Sequence, residues 1–109
     1  MNNSEFLFNA TRAKAVNKLY LRENIDIGHI IILTEIIARE MNNELPPNVK
    51  WVQTELQISF TKVKSIIENL EKRGFMYKKV NIEDNRVRDL FITKAGSDYI
   101  YKITSGLSD

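Results

Sequence analysis

Cysteine is absent from the 109-residue chain, which excludes a disulfide framework, a thiolate metal site and a cysteine nucleophile and fits a reducing compartment. Histidine is nearly absent. The single copy, His29, lies in a mostly apolar segment without clustered carboxylates, so it reads as a packed or interfacial side chain and not as a metal ligand. No Gly-rich phosphate loop and no pairing of a nucleophile with a base can be assembled, so the expectation is a protein that is not an enzyme and needs no cofactor. Long apolar runs are missing too. The longest, Ile30 to Leu33, falls far short of a membrane span, and the opening MNNSEFLFNATRAK lacks the basic, apolar and small-residue order of a signal peptide. A soluble cytoplasmic protein with no membrane partner is expected.

What is present suffices for one core. A chain of this length, 43% hydrophobic and 28% charged with its apolar residues in periodic blocks, predicts one folded domain over residues 1–109. The net charge of +2 is uneven: residues 50–94 hold ten Lys and Arg against six Asp and Glu, while the flanking segments are each slightly acidic. A basic excess confined to one segment is the charge footprint of a nucleic-acid partner.

Periodicity predicts a helix over Ser4 to Glu23, capped by Ser4, with one stripe of Phe6, Ala10, Ala13, Val16 and Tyr20 and a second of Phe8, Ala15 and Leu19. Two stripes suit a helix that touches two surfaces or one that wraps a single core. Asp26 is expected to cap a core helix running to about Asn42, with Ile30, Ile31, Leu33, Ile37 and Met41 inward and Ile32 and Ile36 on the more polar side with His29. Pro46 and Pro47 place a loop after it. A short helix follows within Asn48 to Gln57, entered through an extended Val49 to Trp51, with Trp51, Val52 and Leu56 inward. Ser59 then caps a helix to Arg73 whose inward stripe is Val63, Ile66, Ile67 and Leu70 and whose stop is Gly74. Its outer face carries Thr61, Lys64, Ser65, Glu68 and Lys72, with Lys62 and Asn69 at one margin. Strand-like runs Phe75 to Asn81 and Arg86 to Ile92 join through the polar Ile82 to Asn85 turn. Thr93 caps a last helix to about Thr104, with Ala95, Tyr99, Ile100 and Ile103 available for packing.

The stretch ELQISFTKVKSIIENLEKRGFMYKKVNIEDNRVRDLFITKAG resembles the central part of MarR-family regulators, including the smaller SarA-like ones. Its pieces are the IS pair before the helix at Ser59, LEKRGF at that helix's end, EDNR at the hairpin tip and ITKAG opening the next helix. The resemblance implies a mainly α (α+β) winged helix-turn-helix, with the helix-turn-helix over about 48–73, a two-stranded wing over about 75–92, and flanking dimerisation helices over about 4–23 and 94–105. Gln57 stands where these motifs usually have glycine, Gln53 where they have alanine, and Asn85 where they have arginine. The chain also lacks length for the family's long C-terminal dimerisation helices.

What the resemblance implies is a sequence-specific regulator of transcription that binds double-stranded DNA as a homodimer. The recognition helix would place Ser59, Thr61, Lys62, Lys64 and Ser65 at the major groove. On the wing, Asp84 would hold Arg86 for the minor groove, with Lys78, Lys79 and Arg88 on phosphates. Phe6, Ala13, Tyr20, Ile32, Ile36, Tyr99 and Ile103 are the expected dimer contacts. Two other readings use the same fold, a plasmid partition or replication protein on repeated sites and an adaptor for protein partners. The sequence assigns no small-molecule effector.

Overall fold

A computed structural model describes residues 3–107. Helix α1 spans Asn3–Glu23, α2 Ile27–Met41, α3 Val49–Leu56 and α4 Phe60–Lys72. Strands β1, Met76–Val80, and β2, Arg88–Ile92, pair antiparallel, and helix α5, Lys94–Leu107, follows.

Short polar side chains set the helix starts. The Asp26 carboxylate accepts from the Gly28 N–H at 2.9 Å while His29 Nδ1 accepts from the Asp26 N–H at 3.2 Å, a reciprocal capping box on α2. Ser59 caps α4 by accepting from the Lys62 N–H at 3.2 Å, and Thr93 Oγ1 accepts from the Gly96 N–H at 3.0 Å at the head of α5. These three caps form where the sequence predicts them. Asn48 adds an unforeseen fourth, accepting from the Trp51 N–H at 2.8 Å, so Val49 to Trp51 is helical and not extended. Ser4 is not a cap, because α1 already includes Asn3. Gly74, at φ 77°, takes the left-handed turn that ends α4.

Helix α2 is the hub, packed against α4, β2 and α5. Its buried line is His29, Ile32, Leu33 and Ile36, with Ile32 and Ile36 only 0% and 1% exposed. This corrects the predicted orientation: Met41 is exposed, Ile31 and Ile37 are half-buried, and the two isoleucines expected on the polar side lie at the centre. With isoleucine on nearly every side of the helix, hydrophobic periodicity does not say which line is deepest. Val52 of α3, the predicted stripe Val63, Ile66, Ile67 and Leu70 of α4, Met76 and Leu90 of the hairpin, and Ile100 and Ile103 of α5 complete the core.

The hairpin register pairs Met76 with Ile92 and Lys78 with Leu90. Its strands are shorter than predicted, because Asn81 Oδ1 accepts from the Glu83 and Asp84 N–H groups at 2.9 and 3.0 Å and coils the chain into a compact tip. On the far side of β2, the Pro47 carbonyl accepts from the Leu90 N–H at 2.9 Å and Asn48 bridges Asp89. A proline fits this edge because no N–H is asked of it there.

Helix α1 meets this body at α5, and its Leu19, near the C-terminal end, is buried. Leu7 and Phe8 are exposed, and the molecule measures 53 × 28 × 26 Å. Among the expected dimer contacts, Ile32, Ile36 and Ile103 are core residues whose surface is consumed within the chain. They leave nothing for a partner to touch. Tyr20 and Tyr99 are half-buried, and Tyr99 stacks on Phe75 at 4.2 Å. Ala13 is exposed, and the side chain of Phe6 lies outside the described residues.

The turn between α3 and α4 runs through Gln57 at φ 52°, ψ 43°, a left-handed conformation that costs a side-chain-bearing residue about 1–2 kcal/mol. Gln57→Gly should therefore raise stability by about 0.5–1 kcal/mol after the added flexibility of the unfolded chain is counted. Gly96→Ala should do the reverse and lower it by about 1–3 kcal/mol, because a Cβ there runs into the Phe75 carbonyl. Urea midpoints of the two variants against the parent check both.

Candidate nucleic-acid interface

Helix α4 is held by its buried stripe, and burial of that stripe turns Thr61, Lys64, Ser65 and Glu68 outward as a continuous exposed face. The Ser59 cap leaves the helix start open to solvent. Lys64 lies 3.9 Å from Glu68 one turn on, and Lys62, at the margin, lies 3.6 Å from Asp26 of the α2 cap. Both ion pairs are exposed and weak, so a polyanion can displace the carboxylates.

At the wing tip, Arg86 donates from Nε and Nη2 to the two oxygens of Asp84, each at 3.1 Å, and the Arg86 N–H donates to the same carboxylate at 3.0 Å. The forked contact fixes the guanidinium plane. The side-chain and backbone hydrogen bonds from Arg86 hold the Asp84 carboxyl below its ordinary pKa, so the pair persists into mild acid. Arg88 Nη1 donates to the Asn85 carbonyl at 2.7 Å and braces the tip from the other side. Lys78 reaches back 3.3 Å to Glu71 and ties β1 to α4.

Lys79 differs from the other wing cations. Successive strand residues face opposite sides of a sheet, so Lys79 sits with Tyr77 and Phe91, its ammonium 5.7 and 5.6 Å from their ring centres. Lys78, Lys64, Arg86 and Arg88 instead meet around a cleft of about 370 Å³ between α4, the head of α3 and the wing. Lys50 and Phe60, absent from the residues expected at the DNA, also line it. Lys50 belongs to the basic segment and was legible as charge, whereas Phe60 carries no charge signal. Val49, Ile67 and Val87 form the apolar floor, and no Asp or Glu among the described residues lines the cleft.

On the other margin of α4, buried His29 bridges two helices. Its Nδ1 lies 3.2 Å from both the Asp26 backbone nitrogen and the Asp26 carboxylate, and its Nε2 lies 3.2 Å from Asn69 Oδ1 of α4. Burial alone would push the Asp26 carboxyl up, but His29, the Gly28 N–H and Lys62 together outweigh it and hold the group below its ordinary value. Among the described residues no group of three or more His, Cys, Asp or Glu side chains is placed to hold a metal ion, and no helix is long and apolar enough to cross a membrane.

No sequence family and no curated protein matches the chain. Solved structures do. S. aureus MepR in complex with DNA superposes with a TM-score of 0.72 at 17% identity, over 94% of this chain and 73% of its own. Apo MarR from E. coli matches with a TM-score of 0.73 at 12% identity, over 100% of this chain and 78% of its own. The transcriptional regulator BldR from Sulfolobus solfataricus gives 0.73 at 16%, over 99% and 73%. The chain has the MarR-type winged-helix fold. In that fold α3 and α4 are the helix-turn-helix, and β1, the 81–87 tip and β2 are the wing. Gln57, at the usual glycine position, adopts the backbone conformation that glycine favours, so the winged helix closes its turn without glycine.

The Asp26 cap yields a pH prediction. A carboxyl whose pKa is lowered by folding stabilises the protein above its unfolded value of about 4 and loses that contribution as pH falls through the folded value. In thermal melts from pH 7 to pH 2, the difference in Tm between the parent and Asp26→Asn should be widest above about pH 5 and close in stronger acid. A difference independent of pH would mean that the Asp26 charge contributes nothing to folding.

Proposed function

We propose that this chain is a sequence-specific double-stranded-DNA-binding regulator of transcription that acts as a homodimer. The observation that carries this reading is the cleft free of acidic residues between recognition helix and wing, where Lys50, Lys64, Lys78, Arg86 and Arg88 converge. Helix α4 would enter the major groove with Thr61, Lys64 and Ser65 toward base edges and Ser59 and Lys62 near the phosphates at its start. The wing would reach the adjacent minor groove with Arg86, preset by Asp84, and Lys78 and Arg88 would meet the phosphate strand between the two grooves. The fold supports this reading, since MepR is seen in complex with DNA on the same architecture. Lys79, on the other face of the hairpin, is assigned at most a lateral phosphate contact.

The homodimer reading draws on α1, whose first half extends past the core with Leu7 and Phe8 exposed, and on exposed Tyr101 of α5. Ala13 of α1 is exposed as well, and Tyr20 and Tyr99 are half-buried. Two subunits joined there would set their recognition helices on successive major grooves about 34–36 Å apart, on a repeated or inverted site.

Fluorescence anisotropy with an A·T-rich duplex at two salt concentrations tests the reading. The parent should bind with a steep salt dependence, because each phosphate contact releases counterions. Lys64→Ala and Arg86→Ala should each cost about 1–3 kcal/mol, and a lost phosphate contact should reduce the salt slope by about one. Absence of salt-dependent binding would overturn the proposal and favour a protein partner.

A further inference from the structure

Phe60 is a large apolar residue that lines the cleft and is left exposed outside the core. It stands at the first position of α4 and is 56% exposed, while the core stripe of that helix begins a turn later at buried Val63. Phe60 shares the lining of the cleft with Lys50, Lys64 and Arg86. An aromatic ring on a cationic surface has no role in solubility, and its exposed area is apolar surface left uncovered in the free protein. The cations of the cleft point to what covers it, since an apolar ring in a cleft lined by Lys and Arg and, among the described residues, by no Asp or Glu fits against a polyanion.

The first turn of a recognition helix is the part that reaches base edges. Only one base presents an apolar group in the major groove, thymine with its C5-methyl, and apolar side chains discriminate it from cytosine by contact with that methyl. We infer that Phe60 is a specificity-determining residue that packs on a thymine C5-methyl and gives this protein a thymine preference at one position of each half-site. The inference rests on the DNA-binding reading above and adds a base identity to it. Thr61, Lys64 and Ser65 offer hydrogen bonds that several bases can satisfy, whereas the Phe60 ring offers none and selects by apolar contact alone.

The test is a cycle between protein and methyl group. The tightest duplex recovered from a randomised pool is compared with the same duplex carrying deoxyuridine in place of each thymidine in turn, against the parent, Phe60→Ala and Phe60→Leu. At one thymidine the parent should lose about fourfold in affinity on removal of the methyl, the scale of one buried methylene. Phe60→Ala should bind the thymidine duplex correspondingly more weakly and be indifferent to the methyl, and Phe60→Leu should retain part of the discrimination. The coupling, and not either single loss, is diagnostic. Circular dichroism melts should be unchanged in both variants, because the ring is outside the core. Full retention of the methyl effect in Phe60→Ala overturns the inference, as does an equal loss on both duplexes, which would place the ring on a sugar. A parent that binds no duplex in a salt-dependent way overturns the DNA-binding reading itself, and a parent that binds with strong salt dependence but without Phe60 coupling overturns this inference alone.

Discussion

Burial of Val63, Ile66, Ile67 and Leu70 against α2 is the constraint from which the exterior of this protein follows. A helix that commits four side chains spaced over two turns to a core has no rotational freedom left, and every other residue is thereby assigned an outward direction. Thr61, Lys64 and Ser65 face solvent because Val63, Ile66 and Ile67 do not. The Ser59 cap sets where the helix begins, and Gly74 where it ends and the chain turns into the wing. Fixing the rotation and both ends of α4 also fixes the distance from its first turn to the hairpin.

The wing is attached by chemistry of a different strength at its two ends. At its base, buried Met76 and Leu90 belong to the same core as α4, and the Pro47 carbonyl adds a hydrogen bond on the outer edge of β2. At its tip the chain is exposed and ordered by polar contacts, Asn81 with the backbone of Glu83 and Asp84, and Asp84 with Arg86. An exposed tip held by short hydrogen bonds keeps a guanidinium aimed without hiding it. The lysine on β1 that faces α4 is tied to Glu71, which couples wing and helix as one surface.

Much of this was readable from residue types. The α4 stripe has four apolar residues at helical spacing with polar residues between, so its period and phase are unambiguous, and Asp26, Ser59 and Thr93 announce caps by local chemistry. Helix α2 was legible as a helix and not in its rotation, since an Ile30 to Leu33 run satisfies several phases at once and only contact with α4, β2 and α5 chooses Ile32 and Ile36 as the centre. Of the cleft, the cations Lys64, Lys78, Arg86 and Arg88 were legible as charge near a recognisable motif. Phe60 was not, because an aromatic at the head of an amphipathic helix reads as the next member of its inward stripe.

The sequence alone determined the order of elements, three of the caps, the inward face of α4 and the local basic excess, because each depends on spacing and residue chemistry within a few turns. Tertiary structure alone decided which isoleucines of α2 are central, that Ile103 belongs to the core and not to an interface, that Lys78 and Lys79 part company, and that Lys50 joins Phe60 and the wing in one cleft. These outcomes depend on segments distant in the chain meeting in space, and hydrophobic period and charge count carry no information about which distant surface a residue meets.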